Sequence, residues 1–102
     1  MIAAEVKAIV VAEIGDQWKR TNLHHVSLRE CLIEPERITF VDVCNEKPFE
    51  AWLVLRESPS GNGYAIIYDE HSKSFGLAQF ADGYEPCLIG FYGNFFTTFD
   101  AM

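Results

Sequence analysis

Few residues of the types that do chemistry stand at spacings that would let them act together. His24 and His25 are adjacent, so they point to opposite faces of a strand or about a hundred degrees apart on a helix, and neither arrangement chelates a metal. The three cysteines, Cys31, Cys44 and Cys87, contain no CxxC pair. Cys44 sits in "DVCNE", whose carboxylates favour the thiol over the nucleophilic thiolate, and cysteine is among the most often buried residue types. The densest titratable cluster is "YDEHS", with Asp69, Glu70 and His71 consecutive at a predicted turn. Such a group becomes an acid–base pair only where a pocket wall desolvates it, and Lys73 beside it would pair with the carboxylates in solvent. The glycines of "GNG", Gly90 and Gly93 form no phosphate loop: there is no GxxxxGK[ST] and no GxGxxG after a strand. These patterns predict no metal, no cofactor and no catalytic residue.

The segment "GFYGNFF", residues 90–96, is the densest aromatic stretch. Leu88, Phe91, Tyr92, Phe95, Phe96, Phe99 and Met102 follow steps of three and four, which gather on one helical face. The preferred reading is a helix from about Leu88 that fills the core. The alternative makes "IGFYG" a loop, with Asn94 capping a short helix over 95–101. A membrane-surface helix needs basic residues on its polar face, and this segment offers only Asp100. Just before it, "FADGYEP" supplies a turn at Asp82 and Gly83, with Tyr84 placed to line a groove against Tyr92.

At 102 residues, 49% apolar and 23% charged, the chain reads as one α+β domain over 1–102 that buries enough surface to fold. The formal charge of −7 repels phosphate backbones and anionic membranes, so nucleic-acid and membrane partners are disfavoured and a basic protein partner is favoured. A chain this small buries only about 60 to 65% of its extended surface, which makes a homodimer the expected oligomer. An odd cysteine count fits a reducing compartment, and Glu5, Lys7 and Glu13 interrupt the N-terminal apolar stretch, so no signal peptide is read there. The expected location is cytoplasmic.

The elements that must position any site follow from periodicity. Ile2, Val6, Ile9, Val10 and Ile14 predict a helix from residue 2 to about residue 20, weakened at Gly15. "HHVSLRECLI" reads either as strand or as short helix, with strand preferred for 28–33. "EPER" reads as a turn and "ITFVDV" as a strand. "FEAWLVLRE" reads as a central strand, "SPSGNG" as a hairpin loop, "YAIIYD" and "FGLAQF" as the next two strands, giving a meander over 49–80. The predicted fold is an α+β two-layer sandwich: an antiparallel sheet of four to five strands with an N-terminal and a C-terminal helix. Because "AWLVL" and "YAIIY" are apolar at both parities, the second sheet face requires cover from a partner subunit, the N-terminal half of the chain or a ligand.

Two functions of different class follow. The first is a protein-interaction module that meets a basic surface with carboxylates around aromatic anchors, among them Trp18, Trp52, Tyr64, Tyr84 and Tyr92. In profile, meaning size, acidity, element order and the lack of a motif, the chain resembles the small immunity or antitoxin proteins that neutralise basic bacterial toxins, which implies a basic protein partner. The second is a small-molecule-binding domain or modest enzyme with a pocket between the sheet and the aromatic C-terminal segment, walled by Tyr68, His71 and Tyr92. A purely structural subunit is the third reading. The candidate binding residues are Trp52, Tyr68, Asp69, Glu70, His71, Tyr84 and Tyr92.

Overall fold

The computed structural model describes residues 1–58 and 62–102. Helix α1, Ala3–Ile14, buries Val6, Val10 and Ile14, which recur every four residues and so share one side. It ends at Ile14 and not near Arg20. Gly15 takes φ +60°, and its N–H turns back to the Val11 carbonyl at 3.1 Å, a conformation that glycine adopts without steric cost. Trp18 lies beyond the helix yet still packs, half-buried, against the core.

Asn22 organises the next loop. Its Oδ1 accepts from the N–H groups of His24 at 3.0 Å and Val26 at 3.1 Å, while its Nδ2 donates to the Phe99 carbonyl at 3.0 Å. Residues 28–33, expected as strand, divide into a single helical turn, α2, Leu28–Cys31, and the start of β1, Leu32–Asp42. "EPER" is not a turn but part of β1. Pro35 fits there because the register against the next strand shifts between Leu32 and Glu36, a bulge that does not ask for its missing N–H.

The remaining strands are β2, Pro48–Arg56, β3, Gly63–Asp69, β4, Ser74–Phe80, and β5, Cys87–Gly93, followed by helix α3, Phe95–Ala101. Each strand is antiparallel to the one before it, so the chain is the expected α+β meander with a helix at each end. β2 lies between β1 and β3, as its double-sided apolar pattern predicts. The predicted "SPSGNG" hairpin loop falls, at residues 59–61, outside the described residues. Its stem is closed by the Glu57 N–H donating to the Tyr64 carbonyl at 2.9 Å.

The sheet also curls until β1 meets β5 in a short parallel pairing, Val41 with Cys87 and Asp42 with Leu88, which closes a barrel. That closure meets the need for a covered second face within the chain. Phe40, Ala51, Leu53, Ala65, Ile67, Ala78 and Leu88 pack together inside, and the three alanines leave room for the large side chains in a barrel this narrow. Outside, Trp52, Val54, Ile66, Tyr68, Phe75 and Leu77 lie under α1, α3 and the Val26 and Leu28 side chains. A register shift between Leu53 and Leu55 in β2 lets Val54 and Leu55 both face that outer layer.

The preferred sequence reading of the tail is corrected. Residues 87–93 are β5, and the helix starts only after Asn94, whose side chain accepts from the Thr97 N–H at 2.8 Å. A register shift between β4 and β5 explains why the strand imitated a helix: it leaves Ile89 as an extra residue, so Leu88 and Phe91, three apart, lie opposite Ala78 and Gly76 on the same side of the sheet. Beyond the cap, Phe95 and Phe99 are fully buried, stacked at 6.3 Å, and Phe95 meets Phe75 edge-on at 5.5 Å. Each such burial stabilises by about 1.5–3 kcal/mol. Phe91 and Tyr92 remain 44% and 42% exposed.

Gly76 marks a close approach of β4 to β5 inside the barrel. A Cβ there would lie 2.9 Å from the Gly90 carbonyl oxygen and 3.0 Å from the Phe91 ring, whereas one on Gly90 would meet nothing. Gly76→Ala is therefore expected to lower unfolding free energy by about 1–3 kcal/mol, and Gly90→Ala by far less. Urea denaturation of the two variants reads the difference, and equal midpoints would contradict the packing described.

Candidate functional site

The seven residues singled out in the sequence do not converge on one site. Asp69, 6% exposed at the end of β3, spends its carboxylate on its own turn: it accepts from the N–H groups of His71 and Ser72, each at 3.2 Å, and from the Ser72 hydroxyl at 2.7 Å. Glu70 pairs with Arg37 Nη1 at 3.0 Å and with the Met1 amino group at 3.4 Å. His71 points to solvent. The cluster closes the β3–β4 hairpin and holds β1 to it. Trp52 is buried beneath the Arg37 guanidinium, 5.5 Å from its ring, and its indole N–H has no partner among the described residues.

Tyr84 and Tyr92 do not share a groove. Tyr84 precedes β5 and Tyr92 lies near its far end, eight residues on, a separation of up to roughly 26 Å along an extended chain. Tyr84 is 79% exposed. The strand between them also separates two concavities.

The first is a cleft of about 620 Å³ between α1 (Ile9, Ala12, Glu13), the β3–β4 hairpin (Tyr68, Lys73, Phe75) and the junction of β5 with α3 (Gly93, Asn94), with Met1 at its rim. It lies between the sheet and the C-terminal segment, where a pocket was expected. Tyr68 lines it, but His71 and Tyr92 do not. Glu13 Oε1 accepts from the Phe95 N–H at 3.1 Å, so this carboxylate ties α1 to the start of α3 as well as facing the cleft. Burial pushes the Tyr68 phenol above its ordinary value, and the neighbouring Asp69, Glu70 and Glu13 carboxylates add to the effect.

The second concavity, about 570 Å³, lies at the other end of β5 and was not found in the sequence. Ile38, Thr39, Phe40 and Val41 of β1 form one wall, with Glu46 from the β1–β2 connection, Pro48 at the start of β2, and Glu85 and Pro86 from the β4–β5 loop. The connection is built by short-range bonds: Asp42 Oδ1 accepts from the Cys44 N–H and Asn45 Oδ1 from the Lys47 N–H, both at 2.9 Å. Glu46 itself takes φ +58°. The signal that could have marked the place is the pair of prolines, Pro48 and Pro86, each next to an acidic loop, but nothing in one dimension places those loops together.

The cysteines and histidines stand apart from both. Burial raises the Cys31 thiol above its ordinary value, Glu30 and Glu57 raise it further, and its Sγ meets the Glu57 carbonyl oxygen at 3.7 Å, so it is held as a thiol. His24 Nδ1 meets the Met102 carbonyl oxygen, which binds the 22–26 loop to the chain end. Among the described residues no three His, Cys, Asp or Glu side chains are grouped as metal ligands, and no helix is long and apolar enough to cross a membrane. No family model matches the chain, and neither the curated proteins nor the solved structures compared with it gave a match.

The raised Tyr68 phenol has a definite sign for stability. The unfolded chain releases this proton near pH 10, while the folded protein still holds it, so the folded state loses stability as pH climbs above about 10. A phenolate absorbance titration is expected to contain a late step, and Tyr68→Phe should remove it and flatten the alkaline loss of stability. Unchanged late ionisation in the variant would assign it elsewhere.

Proposed function

We propose that the protein is an interaction module that receives a basic protein segment in the groove walled by β1 and the β4–β5 loop. The observation that carries this reading is the chemistry of the lining: an apolar surface of Ile38, Val41, Pro48 and Pro86 over the buried Phe40, in which the charged residues are Glu46 and Glu85. Tyr84 stands next to Glu85 as an exposed ring able to anchor a partner, and the whole chain carries a formal charge of −7. A role like that of an immunity or antitoxin protein in the cytoplasm agrees with these properties. The three cysteines, all free, suit a reducing compartment. Self-association is a separate proposal, and sedimentation of the protein alone distinguishes a second copy from a foreign partner.

A second reading is favoured by the first cleft. Its volume falls in the range of small-molecule sites, and Glu13, Tyr68, Lys73 and Asn94 place polar groups around the Phe75 and Ile9 side chains. A binding role needs no more than that, so enzymatic activity is the weaker form of this reading.

Both readings have direct tests. For the first, an alternating Lys–Val peptide of about nine residues is titrated at low and high salt. Binding should weaken with salt, and Glu46→Lys with Glu85→Lys should cost about tenfold or more in affinity; affinity unchanged by the double reversal would place binding elsewhere. For the second, thermal-shift screening against metabolites should find a compound whose effect Tyr68→Phe diminishes, since a ligand at 100 times its Kd adds about 2.7 kcal/mol to stability. A screen without any shift counts against the cleft as a site.

A further inference from the structure

We infer that the basic segment binds as an added β-strand along the open edge of β1, centred on Thr39. This rests on the reading that the β1 groove is the binding surface, and it adds the mode of recognition. The direction of the backbone groups follows from two hydrogen bonds. The Asp42 N–H donates to the Lys47 carbonyl at 2.9 Å, toward β2, so Phe40 and Ile38, of the same parity, also turn their N–H and C=O groups to β2. The Val41 N–H donates the other way, to the Pro86 carbonyl at 2.8 Å. Arg37 and Thr39 share that parity, so their N–H and C=O groups face away from β2.

Among the described residues no strand takes up those groups. β5 pairs with β1 only at Val41 and Asp42, and among the described residues the edge from Arg37 to Phe40 has no strand beside it. It opens into the groove that Thr39 lines. A donor and acceptor row without a strand partner among the described residues, beside an apolar floor, is the arrangement that accepts an extended peptide, with backbone bonds giving affinity and side-chain pockets giving selectivity.

Charge selects the occupant. Glu46 and Glu85 flank the edge; of the cations near it, Arg37 is already held by Glu50 and Glu70, and Lys47, exposed between Glu46 and Pro48, is not among the groove-lining residues. A strand bearing lysine or arginine at alternate positions meets carboxylates there. A second copy of this chain would instead bring two chains of formal charge −7 together with Glu46 and Glu85 at the junction. The bulge at Pro35 bounds the edge on one side, and Pro86, bonded to Val41, bounds it on the other. The open stretch therefore suits a short segment.

The experiment uses the alternating Lys–Val peptide and two analogues, one N-methylated at every lysine and one at every valine, with the amide resonances of the protein as readout. An added strand directs alternate N–H groups at β1, so one analogue should bind about tenfold or more weakly than the parent while the other binds nearly as well. The Arg37 and Thr39 amides should shift and become protected from exchange. Thr39→Pro, which removes an N–H outside the β1–β2 ladder, should weaken the parent by a similar factor; the methylated analogues make the same comparison should that variant fold poorly. Equal binding of both analogues and the parent, with salt dependence retained, overturns strand addition and leaves the groove reading standing. Absence of parent binding, or shifts confined to the α1 and α3 face, overturns both. Thr39 amide protection that grows with protein concentration in the absence of peptide also overturns the proposal, in favour of a second copy.

Discussion

Two residue pairs between β1 and β5 hold the barrel closed, and most of the architecture depends on them. If Val41 and Asp42 parted from Cys87 and Leu88, the interior side chains Phe40, Leu53, Ile67 and Leu88 would meet water. At about 1.5–3 kcal/mol each, these four represent roughly 6–12 kcal/mol, comparable to the whole net stability of a typical domain. The closure is short because β1 and β5 overlap only at their ends. Its economy leaves a length of each strand unpaired, so the contact that seals the core also leaves the β1 edge open.

The helical layer is joined to the barrel by polar contacts as well as by packing. Glu13 of α1 bonds to the first residue of α3, Asn22 holds the α3 end through the Phe99 carbonyl, and Arg20 pairs with Asp100 at 2.5 Å while lying 4.3 Å over the Phe96 ring. Helix α3 has only seven residues and would be marginal alone. These bonds, the Asn94 cap and the buried Phe95 and Phe99 compensate for its length. The first cleft exists because α1 and α3 meet at the Glu13 contact and leave a gap above Tyr68 and Phe75.

The two concavities therefore have different origins and different character. One lies between layers, with carboxylate, ammonium, phenol and amide groups on its walls. The other lies along a strand edge with two carboxylates. They occupy opposite ends of β5, so occupation of one leaves the other accessible.

Periodicity, turn residues and composition determined the element order, the 49–80 meander, the buried Phe95 and Phe99 and the acidic character of the surface, because each is a property of neighbouring residues or of totals. The reading failed where a local signal has two physical solutions. Leu88 to Phe91 spacing is shared by a helix and a bulged strand, and only the β4 partner decides between them. Pro35 breaks a regular ladder but not one with a register shift. Of the residues chosen as a site, Tyr68 lines the first cleft, Tyr84 only precedes Glu85 of the second in the chain, and Asp69 and Glu70 are turn and ion-pair residues. The groove of Ile38, Thr39, Glu46 and Glu85 was invisible in the chain because barrel closure creates it: loops some forty residues apart become neighbours only when β1 meets β5, and that meeting is a long-range packing decision which no local pattern encodes.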